Sequence, residues 1–533
     1  FAQRVRQVLT ERPGLSTMEA LRQARSWGYA GGQSAFFDLV KRPETKRNQF
    51  GAVVSGPVLL PRLVDGRNRL WFVFAYQGLR LGEYRNLNGL VPTPEETQGR
   101  FTTPVRDPLG SGNFPNNQIP ASRIHPVASK LLPLWPAPNH SGAAYNYVSS
   151  NSVVPQATDQ YIGKIDFAES AVSRWAGRYF WDSTPIVSAN VFQAFAYRDP
   201  LESWSQNLTN TRTLSPRLIN ELGAHYFMRP YTLIGGGEAF PNFGPSLGIP
   251  GWPVRPLDQN GVPRIAISGY VTGIGSGSTG GKVSVGNFEI KENLTFIQGA
   301  HAIKAGYHLR RHLNFFVLNS RSAISFTQRY SNNNFADFLL GLPSSASLGG
   351  ESLRGNFAQN GHYFFFQDDW KATSRLTLNL GLRYELRAAW KDKRGFMTNP
   401  DPWTAEFVPP AQNLTLRPWE TGRFQAGVPY ISWTKNGWQP RLGIAYRLTT
   451  KTVIRTGYAI FGNEPVVGWV QNLGQNPRPG TSVLNFQSEQ TRPTLSLSDP
   501  FNTGAQAPGA GLQNLYGIQR RLPQSVIHNW GFT

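Results

Sequence analysis

His308 and His312 stand four residues apart, Asp368 and Asp369 stand side by side, and residues 273–281 read GIGSGSTGG. These are the places where the sequence could hold a metal, a paired acid and base, or a phosphate. Each has a plainer reading. In a strand, positions four apart share one face as lumen- or solvent-facing polar residues. Two adjacent aspartates point to opposite faces, so they make no catalytic pair, and the one on an apolar face must be paired or sit at its rim. The glycine cluster lacks the preceding hydrophobic strand and following helix of a phosphate cradle, so it reads as a loop. No HExxH, Walker loop or GxSxG elbow occurs, and there is no cysteine for thiolate chemistry or disulfides. No catalytic residue, metal site or cofactor is assigned, and the chain does not read as an enzyme.

The remaining chemistry is binding by charge. The chain carries 53 Lys+Arg against 32 Asp+Glu, a net charge of +21. Such an excess suits nucleic acid, an anionic membrane surface or acidic ligands. The basic residues are scattered through strand-like segments and form no long tract. Alternation against apolar neighbours selects Lys304, His308, Arg310, Arg383, Glu385, Arg441 and Arg447 as candidate lumen-lining residues of a barrel. A basic lumen would favour anionic solutes such as metal chelates or acidic glycans.

The elements that would position these residues are strands. Leu376, Leu378, Leu380, Leu382, Tyr384 and Leu386 alternate with Thr377, Asn379, Gly381, Arg383 and Glu385. That period of two is a strand with one apolar face, long enough for the roughly 9–11 residues in which a tilted strand crosses a bilayer. A half-buried soluble sheet would alternate in the same way. Recurrence favours the membrane: strands are expected over 50–60, 70–80, 161–167 paired with 174–181, 191–197, 218–228, 288–296 hairpinned with 303–309, 363–370, 376–386, 439–448 and 452–461. The segment 335–341 (FADFLLG) is ambiguous between helix and strand. Short polar links (371–375, 449–451) alternate with long segments (391–437, 463–525), the asymmetry of outer-membrane barrels. Residues 235–281, rich in Gly and Pro, read as a long surface loop. Mean hydropathy is −0.35 and no run approaches the length of a membrane helix.

The first forty residues differ. Val5, Val8 and Leu9 at helical spacing, a break at Pro13-Gly14, and a Ser16/Glu19 capping box suggest three short helices. The stretch RVRQVLTERPGLSTMEALRQARSWGYAGGQSAFFDLVKR resembles the helix-turn-helix of insertion-sequence transposases. A small helical bundle with no DNA role is the alternative.

From residue 46 the chain resembles TonB-dependent outer-membrane receptors, and within them the Oar-like group with a carboxypeptidase-regulatory-like domain. The segments that carry this are RNQFGAVVSGPV, RLWFVFAYQGLR, VPTPEETQGRF, IPASRIHPVASKLLPLWPAPN, FADFLLG, FFFQDDWKATSRLTLNLGLRYE, QPRLGIAYRL and TVIRTGYAIF, in that order. The resemblance implies a transmembrane antiparallel β-barrel in the bacterial outer membrane. It would contact lipid and bind an extracellular solute, admitting it under the pull of a TonB-type energy complex. The domains expected are 1–40 (helix-turn-helix-like, foreign to the barrel), 41–90 (end of the plug region and first strands), 91–157 (Pro-rich insertion with one short helix near 126–132) and 158–533 (strands with long loops). Roughly fifteen strand candidates, against 22 in large transporters, lead to the expectation of a fragment truncated at both ends, without the TonB-contact segment and most of the plug. The alternatives are a surface adhesin or scaffold barrel, and a DNA-binding protein with a β-rich body.

Overall fold

The protein is described from a computed structural model. The residues described are 45–62, 64–142, 144–188, 190–192, 197–233, 243–252, 262–271, 274–275, 281–318, 322–348, 353–393, 399–400, 407–408, 431–432, 437–463, 471–473, 484–501, 521–522 and 525–533. The helix-turn-helix expectation for residues 1–40 lies outside them, as does most of the glycine cluster.

Alternating sequence becomes one large antiparallel sheet. Its strands are β1 (Thr45–Pro57), β2 (Leu70–Gly89), β3 (Tyr147–Ala168), β4 (Ser173–Ser183), β5 (Glu202–Ser215), β6 (Leu218–Leu233), β7 (Gly281–Gln298), β8 (His301–Leu318), β9 (Leu353–Trp370), β10 (Leu376–Arg387), β11 (Trp438–Arg447), β12 (Val453–Asn463) and β13 (Ser525–Phe532). Each pairs with the next in sequence order, and the two-residue strand Lys391–Asp392 adds beside β9. Among the described residues, β1 and β13 are the sheet edges.

The connections at one end are mostly tight: 169–172, 216–217, 299–300, 371–375 and 448–452. Those at the other end are long: 90–146, 184–201, 234–280, 319–352, 388–437 and 464–524. The expected asymmetry is present.

Register assigns the two faces. Tyr307, Phe364, Tyr384 and Trp438 are successive cross-strand partners on β8 to β11. Two of these pairs bring their rings together at a tilt, with centroids 5.0 Å apart for Tyr307 and Phe364 and 4.4 Å apart for Tyr384 and Trp438. Tyr76, Tyr161 and Trp181 continue the tier across β2 to β4. A second tier nearer the tight turns holds Phe167, Trp175, Trp370 and Tyr446. Between the tiers the same face carries exposed Phe74, Ile165, Leu208, Leu222, Phe366, Leu380 and Leu442. An apolar band between two aromatic girdles is the lipid-facing surface of an outer-membrane barrel. Asp368 lies on this face near the turns, bonded to His301 at 2.7 Å, while Asp369 turns to the other face and accepts from Asn379 at 2.5 Å. Of the two aspartates, the one on the apolar face is thus paired and near the rim.

The described parts of the long connections are folded, which corrects the expectation of a surface loop over 235–281 for its described residues. Leu247, Ile249, Val262, Ile265, Ile267 and Ile274 from that span are buried. They pack with Val91, Phe101, Ile119, Val127 and Leu131 from 90–146, with Phe326, Phe335 and Phe338 from 319–352, and with Leu497 and Phe501 from 464–524. Three of these connections build a second, small sheet in the order Arg264–Ile267, Ala323–Phe326, Ser345–Leu348, Leu484–Gln487. Helix α1 (Pro126–Leu131) falls where a helix was expected, started by a proline at its first position. The ambiguous 335–341 segment is helix α2 (Asn334–Leu339), whose cap Asn333 accepts from the N–H groups of Phe335 and Ala336. We call this assembly the cap.

Three further expectations change. The strand over 191–197 is replaced by a bend at Val191 and Phe192 and a short strand Tyr197–Asp199, with 193–196 outside the described residues. The long strand here is β5, ESWSQNLTNTRTLS, too polar to show alternation. Strand β3 begins at Tyr147, ten residues inside the span read as a Pro-rich insertion.

Candidate functional site

The face opposite the aromatic girdles is charged and hydrogen-bonded. All seven residues selected by alternation lie on it by register. On β8, Lys304, His308 and Arg310 face Thr295, Lys291 and Glu289 of β7, and Gln367, Tyr363 and Gly361 of β9. On β10, Arg383 and Glu385 oppose Phe365 and Tyr363, and on β11 Arg441 opposes Gly381. Arg447 shares the parity of Arg441 but sits at the turn end, donating to the Ser374 carbonyl at 2.5 Å. It stands apart from the other six.

The central cluster surrounds Tyr363, which is 2% exposed. The guanidinium groups of Arg310 and Arg383 lie over its ring, 5.6 and 4.9 Å from the centroid. Arg310 is paired with Glu289, and Arg383 donates to Glu385 at 2.9 Å. The other Glu385 oxygen accepts from Arg387 at 3.0 Å. Residues 383, 385 and 387 alternate on one strand, so Glu385 joins two cations on the same face. Beside them Lys291 reaches Glu221 at 3.0 Å, Asn293 donates to the same oxygen at 3.2 Å, and His308 lies 3.3 Å from Asn293. His308 and His312 share the face but diverge: the His312 ring packs 6.0 Å from that of Trp390. These charges largely neutralise one another.

Arg441 differs. Among the described residues no carboxylate lies within ion-pair distance of it, and its guanidinium sits 4.9 Å over the Phe461 ring. It borders a cleft of about 440 Å³ lined by Gln367, Asn379, Asn529, Gly381, Gly443, Gly457 and Gly531 together with the apolar Leu380, Leu442, Tyr458, Ala459 and Phe461. Asn379, Gly443, Gly457 and Gly531 are successive partners across β10 to β13. Glycine in a strand interior gives up packing and marks room or close approach. Here three in one row remove side chains from one level of the face and leave the cleft.

Toward the long connections this face becomes apolar. Val283, Phe316 and Phe357 form a buried cluster with Trp390 and Leu473 from two connections, and Gln471 donates to Asn314 at 3.0 Å.

Alternation found the face but missed Tyr363, Glu221, Lys291, Glu289 and the cleft. The run Tyr363-Phe364-Phe365-Phe366 is aromatic on both faces, so polarity does not separate them. Glu289 and Lys291 do alternate with Phe288 and Ile290, a signal that was available. The glycine row exists only in cross-strand register, which no single segment reveals.

The sequence model of the outer membrane beta barrel domain family matches residues 30–533. No curated protein sequence matches the chain. Among solved structures the chain is similar to the outer membrane transporter YddB from Escherichia coli (8% identity, TM-score 0.44, covering 81% of this chain and 40% of that one). It is also similar to the ferric yersiniabactin uptake receptor FyuA from Yersinia pestis (10%, TM-score 0.36, 84% and 49%). A third similar structure is the FrpB iron transporter from Neisseria meningitidis (9%, TM-score 0.27, 78% and 59%). The chain thus spans between 40% and 59% of the length of these three proteins.

Proposed function

Since the chain belongs to the outer membrane beta barrel domain family, with its place in the bacterial outer membrane, we propose that it serves there as a TonB-dependent, Oar-like receptor. Its girdled face meets lipid. Its charged face lines a lumen that takes an extracellular solute entering past the long connections. Lys304, His308, Arg310, Arg383, Glu385, Arg441 and Arg447 are the lumen residues of this reading, and a TonB-type energy complex is its partner. The observation that carries it is the cleft beside Arg441, where a cation without a carboxylate partner among the described residues borders open volume. An anionic solute, such as a metal chelate or an acidic glycan, suits that chemistry.

The test uses the chain in outer-membrane vesicles with ferric citrate and an acidic oligosaccharide as probes. Saturable binding of one probe is expected. Arg441→Gln should weaken it about tenfold, the worth of one charge-assisted hydrogen bond. In cells where this barrel is joined to a plug and a TonB-contact segment, uptake of the bound probe should cease when the proton gradient is collapsed. Binding without gradient-dependent uptake would support the second reading, a surface adhesin or scaffold. That reading is favoured by the cap, which has a hydrophobic core of its own to present outside. The DNA-binding reading required a cytoplasmic protein and is dropped with the outer-membrane assignment.

A further inference from the structure

The cap is assembled from connections far apart in sequence, and His125 touches three of them. Its Nδ1 accepts the N–H of Val127 at 3.1 Å, making it the N-cap of α1 in connection 90–146. Its backbone N–H donates to the Leu339 carbonyl at the end of α2, at 2.8 Å. Its Nε2 lies 2.8 Å from Ser498 Oγ in connection 464–524. The ring also rests against Gly341, where φ is +71° and an added Cβ would come within 2.6 Å of the ring carbons. The glycine serves both the left-handed turn after α2 and the close approach of the histidine.

The hydrogen bonds set the tautomer. A ring nitrogen that accepts carries no proton, so the neutral ring holds its hydrogen on Nε2 and donates it to Ser498. Charged groups on the surrounding elements are engaged elsewhere. Arg123 pairs with Asp107, and Lys130 donates to the Ser246 carbonyl. Asp337 on α2 accepts from the N–H groups of Arg329, Tyr330 and Ser331. Asp499 follows Ser498, but neither it nor any other described carboxylate hydrogen-bonds to the ring.

We propose that His125 is an acid-released latch of the cap: neutral, it ties three connections together, and protonated, it lets them part. The added proton on Nδ1 would face the Val127 N–H, donor against donor, so the N-cap and its neighbours cannot keep their geometry. Burial holds the imidazole below its ordinary pKa, in the same direction. The neutral form is therefore favoured in the folded cap. The latch contributes fully above the ordinary value of about 6.5 and is lost as pH falls through the lower folded value.

The test is amide hydrogen exchange of the full chain in lipid at pH 7.5 and 5.5, corrected for intrinsic rates. Amides of 125–131 and 494–499 should exchange severalfold faster at the lower pH, while those of β8 to β10 stay unchanged. His125→Gln keeps an acceptor and a donor but does not titrate, and should remove the acid increment. Equal protection of the wild type at both pH values would overturn the proposal, as would an undiminished increment in His125→Gln. If that variant exchanges fast at both pH values, Ser498→Ala decides. It retains the titrating Nδ1 contact, so it should show the increment, and its absence would reject the latch.

Discussion

The spanning sheet and the cap use the same apolar residue types against opposite surroundings. On the sheet, Phe366 and Ile165 remain 52% and 53% exposed to whatever lies outside the girdled face. In the cap, Phe335, Phe338 and Ile119 are fully buried by other side chains. Lipid supplies a fluid neighbour for the first group, so shape complementarity is not demanded there. Water surrounds the cap, so its stability depends on packed side chains and satisfied polar groups. The sheet's order comes from register, and the cap's from contacts between distant segments.

The largest expected effect lies in the cap core. Phe338→Ala should cost about 3–5 kcal/mol, the range for deleting a buried ring, and loosen the cap to limited proteolysis while leaving β8 to β10 protected. Leu380→Ala on the girdled face should cost only about 0.5 kcal/mol, the order of leucine's preference for the membrane.

A charge inverts the contrast. Leu382→Arg on the girdled face should cost about 2–4 kcal/mol in lipid, read as a lower denaturant midpoint for the membrane-inserted chain. Asn379→Arg, on the opposite face, should change that midpoint little. Equal effects at the two positions would remove the distinction between the faces.

Satisfied polar groups also hold the cap together. The buried Asp337 carboxylate accepts from three backbone N–H groups and the Ser331 hydroxyl. Asp337→Ala should cost about 1–3 kcal/mol through the donors it strands. Faster exchange at 329–331, without change in the sheet, is the expected signature.

A small effect concerns acid. Burial works to raise the Asp107 pKa, but hydrogen bonds from Arg123 and the backbone at Leu109 and Gly110 outweigh it and hold the carboxyl below its ordinary value. A lowered folded-state pKa means the contribution is present above about pH 4 and is lost as pH falls through the folded value. The pair is partly exposed, so the change should stay under about 1 kcal/mol. Asp107→Asn should remove it from the acid limb of a cap-melting curve.

What the sequence revealed follows the same division. Strands with a one-sided apolar pattern, such as β10 and β8, were legible because period two is a local signal. β5 was not, because Ser, Asn and Thr occupy both its faces. Within the cap only the two helical segments near 126–132 and 335–341 stand out in the sequence, because its core joins residues such as Ile265, Phe335 and Phe501 from separate connections. In the candidate site, parity alone selected seven residues of one face. Which charges cancel, and which borders a cleft, depended on partners one and two strands away.

The most direct test is cysteine scanning of 376–387 with a nitroxide label in lipid; the chain has no cysteine, so each label is unique. Accessibility to oxygen dissolved in the bilayer should peak at Leu378, Leu380, Leu382 and Tyr384. Accessibility to a water-soluble nickel reagent should peak at Asn379, Gly381 and Arg383. Opposite phases with a period of two would place one face in lipid and the other in water. Uniform access of the nickel reagent to both sets would contradict a membrane-spanning sheet.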